Sequence, residues 1–547
     1  MKRSLWATAI LLALNCPYVT WAQSPAEKPD YSAYILTPPA PETPRINSAK
    51  VFGVRPGAPF LYTIAATGVR PITFSAKGLP AGLKVNPETG KITGKVKKQG
   101  TYHVTLQAQN AKGTATRELR IEVGDLIALT PPMGWNSWNC WGNSVSQDKV
   151  MASAKAMVEK GLINYGWTYI NIDDGWQSIR GGKYNAMQPN RKFPDMKKLA
   201  DDIHAMGLKL GIYSGPWVGT YAGHIGSMSD NADGTYDWIK EGRHNENYKY
   251  VSPEDPEGKQ IRKEHYYHGM YSFAPQDAQQ WADWGIDYLK YDWNPNDYYY
   301  ATEMYDAIKK QNRDIVYSLS NSAPYADAPI WMEKSNCYRT TGDIRDNWNS
   351  IFNIGFQRQD HWASFNRPGH WADADMLVVG MVGWGPHLHY TKLTPDEQYS
   401  HISLWALLAS PLLIGCDMSQ LDDFTISLLC NSEVNDINQD PLGIQAYRYY
   451  HDKTYSTYVK QLEDGSMAIG MFNLSDQPKN IGIIPASLGF RGRQTIRDVW
   501  RQKDIATIEP KERWETEVAP HGVALIKVYP GNTRRRVIEI ARGVERK

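Results

Sequence analysis

The pattern of hydrophobic and polar positions changes along the chain and divides it into three parts. Between Val51 and Val123, short alternating runs such as "FLYTIAATG" and "GTYHVTLQAQN" are separated by Gly, Pro and Asn turns. Such alternation places successive side chains on opposite faces of a strand. Several short strands at regular spacing therefore predict a small N-terminal β-sandwich, which we assign to residues 47–124.

A repeat of strand followed by helix begins near Leu126. Text typical of a helix, such as "SQDKVMASAKAMVEKGL" and "PDMKKLADDIHAMG", lies between apolar segments typical of strands. The eight predicted strands lie in "MGWNSW", "YINIDDGW", "LKLGIYSG", "YLKYDWN", "IVYSLS", "YRTTGDI", "GHWADADML" and "WALLASPLLIG". Eight alternating units in residues 126–438 predict a central (β/α)8 barrel, the TIM barrel architecture.

Strand patterns return in residues 439–530, in "AYRYYHDKTYSTYVKQL", "GSMAIGMFNLS" and "HGVALIKVYP". They predict a C-terminal antiparallel β domain. Residues 531–547 form a basic tail, to which we assign no function. The predicted protein is therefore multidomain, with an N-terminal β-sandwich, a central (β/α)8 TIM barrel and a C-terminal antiparallel β domain.

The first residues have the pattern of a secretory signal peptide. A basic start precedes an apolar stretch from Leu5 to Leu14, and small residues follow near Ala22. This stretch is too short to span a bilayer, and no later run is long and apolar enough to do so. We therefore predict a cleaved signal peptide at residues 1–23, a secreted or periplasmic protein and no membrane span. Residues 24–46, which are rich in Pro, Ala and Ser, predict a linker.

Composition narrows the classes of partner. The 547 residues carry a formal net charge of +2, which gives no electrostatic reason to expect a nucleic-acid partner. The 20 Trp and 33 Tyr residues suit carbohydrate, because aromatic faces pack on sugar C–H surfaces. The four cysteines outside the signal peptide contain no C-x-x-C pair, and the nearest two for a possible disulfide are Cys416 and Cys430.

Carboxylates collect at or near the ends of four predicted barrel strands, where the active sites of TIM barrels lie. They are Asp173, Asp174, Asp292, Asp343, Asp373 and Asp375. Taken alone, each could simply cap the helix that follows. Six on four strands, together with Lys290 and Arg339, are hard to explain as independent caps and indicate a functional site.

Two kinds of chemistry would use such a cluster. Carboxylates can bind Mg²⁺ or Ca²⁺, and "DAD" or "HLH" could contribute, but the other strand ends show no clear histidine. Glycoside hydrolysis fits better, because it needs one carboxylate as nucleophile and a second as acid. Lys290 and Asp292 share one face of a strand, as a structural ion pair or as part of this site. In the second case Lys290 should lower the pKa of Asp292, whereas an aspartate with fewer cations nearby should keep its proton longer.

Several motifs occur in a specific order between residues 129 and 441: "LTPPMGWNSWNCW", "YINIDDGW", "LGIYS", "DWGIDYLKYDWN", "GDIRDNW" and "DADMLVVG". This ordered set resembles glycoside hydrolase family 27, the family of α-galactosidases and α-N-acetylgalactosaminidases. The resemblance implies a retaining mechanism on a TIM barrel with a C-terminal β domain, and no metal or cofactor. Upstream, "GLPAGLKVNPETGKITG" resembles immunoglobulin-like modules attached to bacterial surface proteins and glycosidases, and we expect this module to be a spacer rather than a sugar-binding domain.

The resemblance also implies roles for individual residues. Asp292 matches the nucleophile of the family's "K-[YF]-D" motif, and Asp343 matches the acid/base of "D-I-x-D". Asp173 and Asp174 match the pair that holds the O4 and O6 hydroxyls of the sugar. Lys290 matches a lysine that binds ring hydroxyls beside the nucleophile, which would explain why it shares a face with Asp292.

Four further residues complete the predicted substrate pocket. Arg339 matches an arginine near O2, and Asp375 matches another ligand of the hydroxyl groups. Trp138 matches the tryptophan that floors the pocket, and Tyr213 matches the tyrosine after the third strand. The expected substrate is therefore a carbohydrate with a terminal α-linked galactose.

The segment after the fifth strand, "VYSLSNSAP", departs from the family pattern. Leu319 replaces the family cysteine that pairs with the match of Cys337, which puts that disulfide in doubt. Ser320 and Ala323 match positions that select the substituent at C2, and small residues there leave room for an N-acetyl group. The sequence therefore leaves α-N-acetylgalactosaminidase as a second candidate activity beside α-galactosidase.

A third and a fourth candidate function are less favoured. A β-L-arabinopyranosidase of the same family would not need the intact Asp173–Asp174 pair, because its sugar lacks the O6 arm. A sugar-binding protein without activity would be expected to lack Asp292 or Asp343, and both are present. One long segment, 219–270, is charged and aromatic, and it could either shape the substrate site or lie at the periphery.

Overall fold

The computed structural model describes residues 28–240 and 265–529. The predicted signal peptide, part of the long 219–270 segment and the basic tail lie outside these described residues. The described chain contains an N-terminal β-sandwich, a parallel barrel and a C-terminal antiparallel domain, so the predicted fold class is confirmed.

The N-terminal module is a sandwich of two sheets around a core of fully buried side chains that includes Val104, Leu106 and Ile121. A four-stranded sheet has the order Val51–Val54, Gly113–Val123, Gly100–Asn110 and Thr73–Lys77. The facing sheet has the order Pro59–Thr63, Lys91–Lys95 and Leu83–Val85, and a short pair joins Arg45–Ile46 to Ala66–Thr67.

The barrel has eight parallel strands that pair in sequence order. We number them β1 (Met133–Asn136), β2 (Tyr169–Asn171), β3 (Lys209–Ser214), β4 (Tyr288–Asp292), β5 (Val316–Ser320), β6 (Cys337–Arg339), β7 (Trp371–Asp373) and β8 (Leu412–Ile414). β8 pairs with β1, and Leu377, just beyond β7, bridges to Ile414 and closes the ring. The carboxyl ends of all eight strands therefore meet at one rim.

Helices cover the outside of the barrel. The longer ones are Gln147–Glu159, Met196–Ala205, Ala274–Trp284, Tyr298–Lys309, Ala328–Lys334, Pro395–Leu407, Asp423–Leu429 and Ser432–Asn438. Three very short ones are Trp138–Trp141, Asp237–Lys240 and Trp348–Ile351. Side chains cap several helix starts: Asp195 accepts from Lys198 N, and Thr394 forms a capping box with Glu397. The first half of "WALLASPLLIG", predicted as strand, instead forms the end of the helix Pro395–Leu407. These residues are all buried, and a fully buried apolar run has no periodicity that distinguishes a helix from a strand.

The C-terminal domain has a six-stranded antiparallel sheet. Its order is Tyr447–His451, Tyr455–Gln461, Met467–Asn473, Val523–Tyr529, Gln494–Asp498 and Lys503–Ile508, and a second pair joins Lys479–Ile483 to Trp514–Val518. Side chains such as Ile469, Ile496 and Val528 form a buried core of their own.

The N-terminal module is docked firmly on the end of the barrel opposite the carboxyl rim. Arg55 donates to Asp314 Oδ1 at 2.6 Å, to Lys309 O at 2.8 Å and to Gln311 O at 3.0 Å. The described part of the predicted linker, residues 28–46, also packs on the barrel. Leu36 N donates to Tyr399 Oη at 3.1 Å, and Thr37 Oγ1 donates to Ser427 O at 2.8 Å.

The four cysteines of the described chain, Cys140, Cys337, Cys416 and Cys430, are buried free thiols. The disulfide considered for Cys416 and Cys430 is therefore not formed in this structure. Among the described residues, no helix is long and apolar enough to cross a membrane.

Candidate active site

The predicted nucleophile, Asp292, is the last residue of β4. Its side chain is buried, with only 8% of the residue exposed. Tyr213, from the neighbouring β3, donates its hydroxyl to Asp292 Oδ2 at 3.1 Å. Asp292 Oδ1 is buried without a hydrogen-bond partner among the described residues. A buried carboxylate oxygen that the protein leaves unpaired costs stability, and such atoms are typical of functional sites.

Lys290 does lie on the same side of β4, but its main partner is another carboxylate. Lys290 Nζ donates to Asp173 Oδ2 at 2.8 Å, so it reaches across the barrel to the end of β2. Burial raises the pKa of Asp292 to about 6, because the lowering effect of Lys290 is smaller than the cost of desolvation. Lys290 therefore lowers the pKa of Asp292, as predicted, but burial outweighs it and the pKa stays above the ordinary value of an aspartate.

The predicted pair for O4 and O6 follows β2. Asp173 N donates to Ser137 Oγ at 2.9 Å, while the Asp173 side chain accepts from Lys290. Asp174 accepts from Thr220 Oγ1 at 2.9 Å and from Ala222 N at 2.7 Å. Burial nevertheless raises the pKa of Asp174 to about 7, and the negative charge of Asp173 adds to this.

The second carboxylate group is organised around Arg339 at the end of β6. Arg339 Nη2 lies 3.1 Å from Asp343 Oδ1 and 2.9 Å from Asp375 Oδ2. Asp375 also accepts from Ile344 N at 2.8 Å. Asp375 has a φ of 83°, a left-handed conformation that is unusual for an aspartate and typical of functional sites.

The predicted acid/base, Asp343, lies nearer to solvent than Asp292, with half of its side chain exposed. Partial burial raises its pKa, but Arg339, Lys290 and Arg345 together outweigh this effect and leave the pKa below its usual value. The expectation that the acid would have fewer cations nearby is therefore wrong, because Arg339 approaches this carboxylate directly.

Two other predicted pocket residues, Ser320 and Trp138, lie at or just after the ends of β5 and β1. Ser320 ends β5 in direct register with Asp292 of β4, and its buried Oγ has no hydrogen-bond partner among the described residues. Trp138 opens the short helix after β1 and is partly exposed. The strand ends thus bring Asp173, Asp292, Ser320 and Arg339 to one rim, which is the arrangement predicted from their positions.

Residues of the long segment after β3 also belong to this site, although the sequence motifs did not indicate them individually. Thr220 and Ala222 hold Asp174, and Tyr221 lies between them in the chain. Burial and the nearby Asp292 and Asp343 carboxylates raise the pKa of Tyr221. The described start of the segment therefore shapes the site. The aromatic and Gly-rich stretch "PWVGTYAGH" is the sequence feature from which these site residues could have been predicted.

No group of three or more His, Cys, Asp or Glu side chains in the described ranges is arranged to hold a metal ion. In "HLH", His389 Nε2 lies 3.0 Å from Asp346 Oδ2 in a two-residue pair. In "DAD", both carboxylates accept backbone N–H groups: Asp373 Oδ1 accepts from Asp375 N at 2.8 Å, and Asp375 Oδ1 accepts from Met376 N at 2.8 Å.

Comparisons with known proteins agree with this architecture. A family model described as alpha galactosidase A matches residues 130–241 and 258–440. A model of the alpha galactosidase C-terminal beta sandwich domain matches residues 452–528, and an Ig domain model matches residues 43–124. All three parts of the chain therefore have known counterparts.

Individual relatives cover most of the chain. Alpha-galactosidase A of Cellvibrio japonicus is 34% identical over 437 residues, which cover 74% of this chain and 93% of that protein. The alpha-N-acetylgalactosaminidase of Gallus gallus is 29% identical and covers 74% of this chain and 94% of its own. A solved Bacteroides fragilis structure, described as a candidate alpha-galactosidase/melibiase, has a TM-score of 0.76 at 36% identity and covers 89% of this chain and 98% of its own. This chain therefore belongs to the alpha-galactosidase (melibiase) family, glycoside hydrolase family 27.

Proposed function

We propose that this protein is a retaining exo-glycosidase that removes terminal α-linked galactose from oligosaccharides or polysaccharides. The observation that carries the proposal is the pair of carboxylates at one rim, with Asp292 buried and incompletely hydrogen-bonded and Asp343 exposed beside Arg339. A nucleophile inside the pocket and an acid at its mouth are the two groups that retaining hydrolysis needs.

The reaction follows in two displacements. The Asp292 carboxylate attacks the anomeric carbon, and the bond to the leaving oxygen breaks as Asp343 gives that oxygen its proton. A water molecule then attacks the anomeric carbon of the glycosyl–Asp292 ester. Asp343 accepts the proton of that water, and Asp292 is released as a carboxylate. Two inversions retain the configuration of the sugar.

The environment of Asp343 suits both halves of this cycle. In the free protein, Arg339 lowers its pKa. A leaving group that covers its exposed side would exclude water and raise the pKa, which favours the acid form. Formation of the ester removes the negative charge of Asp292, so the pKa of Asp343 falls again and favours the base form.

The pairs around the nucleophile fit a sugar with many hydroxyl groups. Lys290–Asp173 and Arg339–Asp375 each combine a donor and an acceptor in one rigid unit. A hydroxyl group both donates and accepts, so it can bind to either member of such a pair. The intact Asp173–Asp174 pair favours galactose over arabinopyranose, because only galactose has the O6 arm.

The α-N-acetylgalactosaminide remains a second candidate substrate. Ser320 and Ala323 are both buried and small, and Ser320 lies in register with the nucleophile. The unpaired Ser320 Oγ does not decide between the two sugars, because a C2 hydroxyl group and the N–H and C=O groups of an N-acetyl substituent can each form a hydrogen bond with it. We prefer the galactoside because alpha-galactosidase A of Cellvibrio japonicus is 34% identical to this chain, whereas the alpha-N-acetylgalactosaminidase of Gallus gallus is 29% identical.

Turnover of two chromogenic substrates, the α-galactoside and the α-N-acetylgalactosaminide, tests the choice directly. We expect kcat/KM for the galactoside to be higher by at least about tenfold, which corresponds to about 1.4 kcal/mol of differential transition-state binding. The reverse preference would establish the second candidate. If neither substrate were hydrolysed, the β-L-arabinopyranoside would be tested next.

The basic and apolar start of the chain supports a proposal about location. We propose that residues 1–23 are cleaved during export and that the enzyme acts in the periplasm or outside the cell. Mass spectrometry of the purified native protein tests this, because an N-terminus near residue 24 is expected. An intact Met1 on the exported protein would contradict it.

A further inference from the structure

Three aromatic side chains form a compact cluster beside the catalytic carboxylates. The rings of Trp217 and Tyr266 are stacked, with centroids 5.1 Å apart and planes inclined by 17°. Tyr221 packs edge-on against both, at 5.3 Å from Trp217 and 5.1 Å from Tyr266. The Tyr266 hydroxyl also donates to Tyr221 O at 3.1 Å, which ties the two sides of the long segment together.

The cluster is fixed relative to the reacting groups. The residues on either side of Tyr221 both donate hydrogen bonds to Asp174, which anchors this part of the segment to the end of β2. The negative charges of Asp292 and Asp343 both act on the Tyr221 hydroxyl, so the ring lies near both carboxylates. Trp217 is almost completely buried, whereas Tyr221 and Tyr266 are partly exposed.

The exposure of the two carboxylates indicates the direction in which the leaving group departs. Asp292 is 8% exposed, whereas half of the Asp343 side chain is exposed, so the leaving oxygen is protonated towards the mouth. Arg345, whose charge also lowers the pKa of Asp343, lies over the ring of Trp384 at 5.0 Å.

We propose that Trp217, Tyr221 and Tyr266 form a platform for the sugar attached to the cleaved galactose, and that Tyr221 determines specificity for a pyranose leaving group. The proposal rests on the α-galactosidase function. It specifies the substrate class as α-galactosyl oligosaccharides, because the C–H face of a pyranose packs on an aromatic ring. A lipid or peptide leaving group offers no such face.

A comparison of two substrates tests the platform. Melibiose carries a glucose leaving group, whereas α-galactosyl fluoride has a leaving group too small to reach the platform. In Y221A, the loss in kcat/KM should be about tenfold greater for melibiose than for the fluoride, which is the size expected for one ring-stacking contact. Y221F keeps the ring and should show a differential of less than about threefold. Y449A, which removes a partly exposed tyrosine from the C-terminal domain, is the matched control and should keep the wild-type ratio.

A second measurement is independent of how much of the variant is folded. With α-galactosyl fluoride as donor and glucose as acceptor, the ratio of transfer to hydrolysis reports how well the platform holds an acceptor on the glycosyl enzyme. This ratio should fall about tenfold in Y221A. Equal losses on both substrates together with an unchanged transfer ratio would overturn the proposal. Failure of the wild-type protein on both substrates would instead overturn the α-galactosidase assignment.

Discussion

The two ends of strand β4 carry buried aspartates with opposite character. Asp287, just before the strand, accepts from His204 Nε2 at 2.7 Å, Arg313 Nη2 at 2.5 Å and Leu210 N at 3.0 Å. Asp292, at the other end, accepts only from the Tyr213 hydroxyl among the contacts that the structure describes. Both residues are 8% exposed.

Burial alone would raise the pKa of both carboxyl groups. At Asp287, Arg313, His204 and Lys209 outweigh burial and lower the pKa, whereas at Asp292 burial prevails and raises it to about 6. Neighbouring donors, rather than depth, therefore decide which aspartate is structural. Asp287 stabilises the end of the barrel that faces the N-terminal module, while Asp292 retains an oxygen without a hydrogen-bond partner among the described residues, which can act as the nucleophile.

Substitution of Asp292 should have the largest effect. D292A should lower kcat/KM for the chromogenic α-galactoside by more than about a thousandfold, because the covalent step loses its nucleophile. Added azide should partly restore turnover of D292A and give the β-galactosyl azide, since it attacks from the vacated side. Residual activity within about tenfold of wild type would exclude Asp292 as the nucleophile.

Substitution of Asp287 should chiefly affect stability. D287A leaves the partly buried Arg313 beside His204 without a carboxylate, so we expect the free energy of unfolding to fall by about 3 kcal/mol. Urea denaturation at neutral pH measures this loss. The activity of the remaining folded protein should stay close to wild type, and a loss comparable to that of D292A would contradict the division between the two ends.

Replacing Asp292 with asparagine should increase stability at high pH, in contrast to the loss expected for D287A. A folded-state pKa raised to about 6 means that the ionised carboxylate is disfavoured in the folded protein. Wild-type stability is therefore lost as pH rises from about 4 to about 6, and D292N should recover about 3 kcal/mol at pH 8. The gain should vanish near pH 4, where Asp292 is protonated. Urea unfolding of both proteins at the two pH values tests this, and a destabilised D292N at pH 8 would refute it.

The smallest effect concerns the pH profile. Because the nucleophile must be ionised and fluoride leaves without a proton from Asp343, kcat/KM for α-galactosyl fluoride should fall as pH drops through about 6. Lys290 lowers the pKa of Asp292, so K290M should move this acid limb upwards by about one pH unit, in addition to any loss of rate. K183M, which changes a lysine in the loop between strands Gln177–Gly181 and Ala186–Pro189, is a suitable control. An acid limb that K290M leaves in place would show that Lys290 does not act on Asp292.

The barrel and the identity of its rim carboxylates could be predicted because both depend on local patterns. Apolar runs fix the strands, and parallel strands bring their carboxyl ends together. The partner of Lys290 could not be predicted, since Asp173 lies two strands away across the barrel. The sequence also could not predict that the pKa of Asp292 is higher than that of Asp343, because this order depends on the burial of Asp292 and on the contact between Arg339 and Asp343. Tyr221 was missed because its segment has no periodicity from which a position could be read.

The segment 28–46 and the N-terminal module join parts of the chain that are made at very different times. Leu36 contacts Tyr399, 363 residues later, and Arg117 forms an ion pair with Asp436 at 2.6 Å. The module is complete once residue 123 has left the ribosome, but its docking surface does not yet exist. The segment 28–46 and the N-terminal module can therefore dock only after residues near 399 and 436 have been synthesised.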